Sequence, residues 1–413
     1  MATVRPFQAI RPARDKAPRV VALPYDVMNR KEAEQMAEGN PFSFLHISRA
    51  EIDLPEVSDA YAPEVYEKAK QNLKENLQAG IFVKEDVPAF YLYRQTMGTR
   101  VQTGIVGCVS VDEYGDNTIK KHELTRVEKE TDRICHFDVC NANTEPVFLT
   151  YRDKTEIRST VEAYAASHQA EYDFVGDDGI GHKLWVIREP EIILALREAF
   201  EAVPDLYIAD GHHRSASAYQ VGQNRRTRHP GFSGEEEFNY FMAVLYPDAD
   251  LQVYDYNRVV KDLNGNTGSE FLEKLEDAGF LVKKKGSQPY APQNCHEFSM
   301  YLDGAWYSFT AKQEIVPEDA VGALDVSILQ NRVLEPILNI KDPRTDKRID
   351  FVGGIRGLSE LVRRAESDMK IGFALYPVSI EDLMTISDRG QIMPPKSTWF
   401  EPKIGSGLFV HEL

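Results

Sequence analysis

The chain has 413 residues, 42% of them hydrophobic, and carries 65 Asp plus Glu against 48 Lys plus Arg, a formal net charge of −17. That length supports a large core in roughly two or three structural units, and the acidic balance disfavours a broad nucleic-acid-binding surface, leaving room for a local basic pocket. Cys108, Cys135, Cys140 and Cys295 are too few and too irregularly spaced for a disulfide framework or zinc knuckle. Arg5 and Pro6 break up any secretory segment, and no apolar run approaches a membrane span, so a cytoplasmic protein with reduced thiols and no membrane partner is expected.

In chain order, Val20 to Leu23 is a short apolar run, Arg30 to Ala37 a charged helix, and Phe42 to Ile47 a second apolar run. Ala62, Val65, Tyr66, Ala69, Leu73 and Leu77 form one helical stripe that Gly80 ends. Phe90 to Gln95 and Val101 to Val111 read as paired strands about Gly98-Thr99. A charged helical pattern runs from Lys120 to about Cys140, followed by a strand at Val147 to Tyr151, a helix at Thr155 to Ala165, a hairpin over Tyr172 to Ile187, a helix at Glu189 to Ala202 and a short buried strand at Leu206 to Ala209. Beyond it come strands at Tyr240 to Tyr246 and Val253 to Val260, a helix stopped by Gly279, and a hairpin over His296 to Thr310 turning at Asp303-Gly304. Helices at Asp325 to Leu334, Leu358 to Ala365 and Ser379 to Ser387, with a strand at Ile371 to Tyr376, complete the pattern. The fold class is α/β (mixed α+β), with mixed sheets and intermingled helices. The expected division is an N-terminal region 1–115, a central region 116–265 and a C-terminal region 266–413, with weakly marked boundaries.

Chemistry concentrates where the Leu206 strand runs into Asp210-Gly211-His212-His213-Arg214. Gly211 lets the backbone turn and approach a ligand, and the helix that follows offers unpaired amides and a positive dipole end. Arg214 adds a planar donor fork suited to phosphate, His212 and His213 can donate or shuttle a proton, and Asp210 suits Mg2+ or an imidazole. The bland alternative is an Asp cap followed by two idle histidines; two adjacent imidazoles and a guanidinium exceed what a structural turn needs.

Other candidates lie elsewhere in the chain. Arg126, Lys129 and Arg133 recur at steps of three and four, so a helix would place them on one face, as a phosphate site or as a solvated face paired with Glu128, Glu130 and Asp132. His122 and Glu123 offer an imidazole and a carboxylate for general base or metal chemistry, without the spacing that sets two ligands on one helical face. Asp26 and His46 follow apolar segments and are candidate substrate contacts, as is Arg258 in Tyr256-Asn257-Arg258; Lys396 is a further anion contact or part of a rigid loop. No Walker loop or dinucleotide fingerprint is present.

The Asp-Gly-His-His-Arg turn resembles the signature shared by chromosome-partitioning nucleotide-binding proteins, sulfiredoxin and free serine kinases. The whole chain resembles the domain of unknown function 1015 family, through Leu23-Pro24-Tyr25-Asp26-Val27, Lys121-His122-Glu123-Leu124-Thr125, the Asp210 motif, Tyr256-Asn257-Arg258-Val259-Val260 and Met393-Pro394-Pro395-Lys396-Ser397-Thr398-Trp399-Phe400. The first resemblance implies a phosphate-binding core in which Gly211, His213 and Arg214 hold nucleotide phosphates. Histidines stand where sulfiredoxin has its cysteine, and neither a helix-turn-helix nor a basic surface is evident, so a small-molecule kinase survives best. It would use ATP or ADP with Mg2+ near Asp210, a hydroxyl acceptor such as free L-serine, Glu123 or else His122 as base, and Arg126 at the transferred phosphoryl group. The alternatives are a non-catalytic sensor of ATP or CTP and a metal-dependent hydrolase. The oligomeric state is left open.

Overall fold

In the computed structural model, which describes residues 1–57 and 59–413, the chain divides into two compact units. The first comprises residues 1–121, 125–251 and 402–413, and the second 122–124 and 252–401. Neither is a continuous stretch of the chain. Both are mixed α/β.

A nine-stranded mixed sheet builds the first unit. Its strands are β1 (Val4–Arg5), β2 (Phe90–Met97), β3 (Arg100–Ser110), β4 (Ile119–Lys120), β5 (Val147–Tyr151), β6 (Tyr172–Val175), β7 (Gly181–Ile187), β8 (Leu206–Asp210) and β9 (Tyr240–Pro247). They lie in the order β4-β8-β5-β9-β3-β2-β7-β6, with β1 against β3. The continuous apolar runs of β5 and β9 are buried on both faces, as central strands covered on two sides require. The β2–β3 hairpin turns at Gly98, whose φ is +60°. Val147, Leu149, Leu206, Ile208, Phe241 and Leu245 belong to the main core cluster.

Helices α1 (Arg30–Ala37), α2 (Pro63–Gln78), α3 (Val127–Cys140), α4 (Thr155–Ser167), α5 (Pro190–Glu201) and α6 (His212–Arg228) accompany this sheet. Asn29 and Glu32 form a capping box on α1, and Gly80, with φ +69°, follows the end of α2. The helical pattern expected from Lys120 is corrected: Ile119–Lys120 is a strand and α3 begins only at Val127. Arg126 is the extended N-cap residue, and its backbone N–H donates to His213 Nε2 at 3.0 Å. A side chain from α6 thus marks where α3 starts.

The second unit has a six-stranded sheet of β10 (Tyr256–Val260), β11 (Phe280–Gly286), β12 (Glu297–Leu302), β13 (Ala305–Ala311), β14 (Ile349–Gly353) and β15 (Ile371–Ala374), in the order β11-β13-β12-β15-β10-β14. Asp303 and Gly304 both have positive φ in the β12–β13 turn, the backbone of a tight two-residue hairpin loop. Helices α7 (Gly268–Asp277), α8 (Leu358–Ser367) and α9 (Ile380–Asp388) belong to this unit. Val259, Tyr301, Trp306, Val352, Leu361 and Ala374 form one of its core clusters. Two expectations change here. Val253 to Val260 is broken at Asp255, whose carbonyl accepts the Gly354 amide at 2.7 Å, and the helix from Asp325 passes into a π-helical turn over Gln330–Leu334.

Candidate functional site

Strands β5 and β8 run antiparallel, with Asp210 opposite Phe148, so the start of β5 and the end of β8 emerge at the same sheet edge. The register shifts between Ile208 and Asp210, a bulge that redirects the chain just before the turn. Gly211 then adopts φ +96° as N-cap of α6. A Cβ there would meet Arg214 Nε at 2.9 Å and its Cζ at 3.1 Å. The glycine is what allows the guanidinium to lie against the backbone, and Gly211→Ala is expected to cost about 1–3 kcal/mol in a urea titration, from left-handed strain plus displacement of Arg214.

Arg214 is only 2% exposed. Nη1 donates to the Pro146 carbonyl at 2.5 Å and Nη2 to Asp210 Oδ2 at 3.2 Å, while Nε is buried without a hydrogen-bond partner. Lys403 Nζ stands 3.9 Å from the same Asp210 oxygen. Burial opposes the charge on Arg214, but Asp210, Asp26 and Glu145 outweigh it and its pKa is raised. Glu145 sits just before β5 and is fully buried; its Oε1 accepts from the Tyr25 amide at 3.1 Å and Ser406 Oγ at 2.7 Å. Burial pushes this carboxyl up, opposed by Arg214 and Arg133.

Arg133 completes the cluster. Its Nε donates to Asp132 at 3.0 Å, its guanidinium lies 4.0 Å over the Tyr25 ring, and Nη1, 4.0 Å from Glu145 Oε2, has no hydrogen-bond partner. Four buried ionic side chains from α3, the β5 approach and the β8–α6 turn are thereby brought together, with Asp26 on the exposed side. Two small cavities lie in the same unit, the first lined in part by this cluster. One, of about 50 Å3, is lined by Tyr25, Arg49, Lys129, Arg133 and His136; the other, of about 90 Å3, by Leu23, Asn40, Asp178, His182 and Lys403.

The remaining predicted residues separate into several settings. His212 is buried at the first position of α6, and His213, half-buried, accepts from Arg126. Arg126 itself is exposed outside the helix, while Lys129 donates to Tyr61 Oη at 2.7 Å. His46 is held by Asp53 at 2.7 Å and faces the Asn40 carbonyl at 3.1 Å; the Asp53 hydrogen bond raises its pKa. His122 and Glu123 belong to the second unit, where the His122 carbonyl accepts the Met393 amide at 2.8 Å and Nε2 stands 3.3 Å from Thr398 Oγ1. Arg258, also in the second unit, is buried, and its Nη2 donates to the Lys396 carbonyl at 2.9 Å; burial lowers its pKa to about 10.

Sequence reading missed Glu145, Tyr25, Ser406 and Lys403. Glu145, a carboxylate between Thr144 and Pro146 at the mouth of a fully buried strand, was the available signal, since a charge there needs a buried partner.

Two histidines lining the cavities contribute to the acid response. Burial holds His136 at about 3 and His182 at about 4, against an ordinary 6.5. A histidine whose folded pKa lies below its unfolded value contributes stability that is complete above about 6.5 and lost as pH falls towards the folded value. Each is expected to remove up to about 1.4 kcal/mol per pH unit below 6.5. Urea midpoints measured between pH 7 and 4 check this, and His182→Phe, which keeps the ring between Tyr93 and Phe174, should flatten the profile by one histidine's share.

Fold and site together describe a mixed α/β protein with a buried, mixed-charge cluster gathered at a glycine strand-to-helix turn. The chain belongs to the family described as "Protein of unknown function (DUF1015)", whose family model matches residues 4–327. No curated protein matches it. Among solved structures it is similar to a conserved hypothetical protein from Pyrococcus furiosus at 14% identity, covering 74% of this chain and 94% of that one with a TM-score of 0.36. It is also similar to a free serine kinase in complex with AMP, at 15% identity over 73% and 91% with a TM-score of 0.35. SbnI with a C-terminal truncation, from Staphylococcus aureus, is similar at 10% identity over 74% and 87%, TM-score 0.38. Likenesses at such low identity and TM-score assign no activity. Among the described residues, no helix is long and apolar enough to cross a membrane.

Proposed function

We propose that the first unit binds the phosphates of ATP or ADP at the Asp210–Arg214 turn and transfers a phosphoryl group to a small hydroxyl compound, with free L-serine as the first acceptor to test. The observation that carries this is the pair of buried guanidinium donors, Arg214 Nε and Arg133 Nη1, that lack hydrogen-bond partners within one cluster. A buried N–H left unpaired costs about 1–3 kcal/mol, and an incoming anion would supply the missing acceptors. Phosphoryl transfer asks mainly for positioning and charge neutralisation, which amides at a helix start and fixed guanidinium groups provide. Asp210, its side chain 30% exposed, would hold Mg2+ arriving with the nucleotide, since Mg2+ commonly uses one or two carboxylates plus phosphate oxygens. Asp26, exposed and close enough to support the charge on Arg214, would meet the acceptor.

The test incubates the protein with ATP or ADP, Mg2+ and mixed amino acids and follows phosphorus resonances. A new phosphomonoester is expected; unchanged nucleotide with saturable binding would refute transfer and leave a sensor. The part Asp26 plays in holding the acceptor is read in the same assay with Asp26→Asn, which is expected to raise the KM for the acceptor.

A further inference from the structure

The second unit gathers Cys295, His296 and Asp325 on the wall of a cavity of about 230 Å3, shared with Tyr376, Ser379 and Asp382. The sulfur, an imidazole nitrogen and a carboxylate oxygen of the first three lie within 4.8 Å of one another. Asp325 is 4% exposed. Its Oδ1 accepts the His296 amide at 2.8 Å and faces Cys295 Sγ at 3.6 Å. Its Oδ2 is buried and completes no hydrogen bond, although the Tyr376 backbone lies close enough to favour the charge. His296 Nε2 is 3.0 Å from the Ala323 carbonyl; that nitrogen must donate, which leaves the lone pair on Nδ1.

We infer that Cys295 Sγ, His296 Nδ1 and the Asp325 carboxylate bind one divalent transition metal, zinc by ligand preference, with a fourth position open to the cavity. A mixed sulfur, nitrogen and oxygen set is what borderline-soft Zn2+ takes, and three protein ligands plus an open position is the arrangement of catalytic rather than structural zinc. Bonds of about 2.3 Å to sulfur and about 2.0 Å to oxygen at a tetrahedral angle put those atoms about 3.5 Å apart, close to the 3.6 Å seen. The three ligand atoms lie within 4.8 Å of one another, and a rotation of the exposed Cys295 side chain can draw them closer. The carbonyl behind His296 plays the part of the outer partner that fixes a ligating imidazole.

Full-length protein stripped with a chelator is titrated with Co2+ and then Zn2+. One equivalent of Co2+ with a thiolate-to-cobalt absorption band is expected, displaced by Zn2+ and absent in Cys295→Ser. Asp325→Asn is expected to weaken Zn2+ about 10- to 100-fold. No band in the unaltered protein, a band that persists in Cys295→Ser, or equal Zn2+ affinity in Asp325→Asn would each overturn the site. Cys295 is exposed, so its serine variant reports ligation rather than folding; circular dichroism checks the Asp325 variant.

Discussion

Arg214→Ala is expected to destabilise the first unit by about 3–5 kcal/mol, the cost of removing one partner from a buried ionic cluster, and to abolish nucleotide binding. Arg214 is enclosed between the Pro146 carbonyl and Asp210, and its charge offsets the buried Glu145. Alanine would leave that carbonyl without its donor, Glu145 with one cation fewer, and a space where a guanidinium lay over Gly211. Urea unfolding measures the loss; a change below about 1 kcal/mol, the scale of an exposed ion pair, would show that Arg214 is not integral to the cluster. Arg214→Lys keeps the charge but not the planar fork, and so separates folding from phosphate recognition.

The second large effect is one of opposite signs. Glu145→Ala is expected to cost about 3–5 kcal/mol, because two buried guanidinium groups lose the carboxylate they share. Glu145→Gln can keep an oxygen for the Tyr25 amide and Ser406 hydroxyl while deleting the charge, so the loss should be smaller. The cluster then becomes more positive. At an effective dielectric near 20 a unit charge several ångströms from the ligand is worth about 1–2 kcal/mol, so phosphate affinity should rise on the order of tenfold in Glu145→Gln. Weaker phosphate binding there would mean that Glu145 positions the site rather than tempering its charge.

Much of the fold was legible because its signals are local. Gly80 and Gly279 closed helices with positive φ, Asp303-Gly304 marked a hairpin, and continuous apolar runs marked the central strands β5 and β9. Strand β11 was not read: Leu281 and the lysines after it lie on an exposed edge, where a strand has no burial pattern to show. Strand β14 was missed for a related reason, since Asp350 interrupts its apolar residues.

The candidate site divides the same way. Asp210 to Arg214 is contiguous and could be read directly. Ser406 and Lys403 come from the far end of the chain, and only the folded sheet brings them to Glu145 and Asp210. Lys129 and Arg133 share a cavity wall, but Arg126, in step with them in sequence, stands outside the helix because α3 starts at Val127. Cys295 and His296 looked idle in sequence since their third partner, Asp325, lies 30 positions away.

The most direct measurement is a calorimetric titration of the intact protein and of Arg214→Lys with ATP and Mg2+. Saturable binding at one site, weakened about 30-fold in the lysine variant, matches the roughly 2 kcal/mol expected when a guanidinium-to-phosphate contact is lost. Absence of binding, or equal affinity in the two proteins, would contradict a phosphate site at this turn.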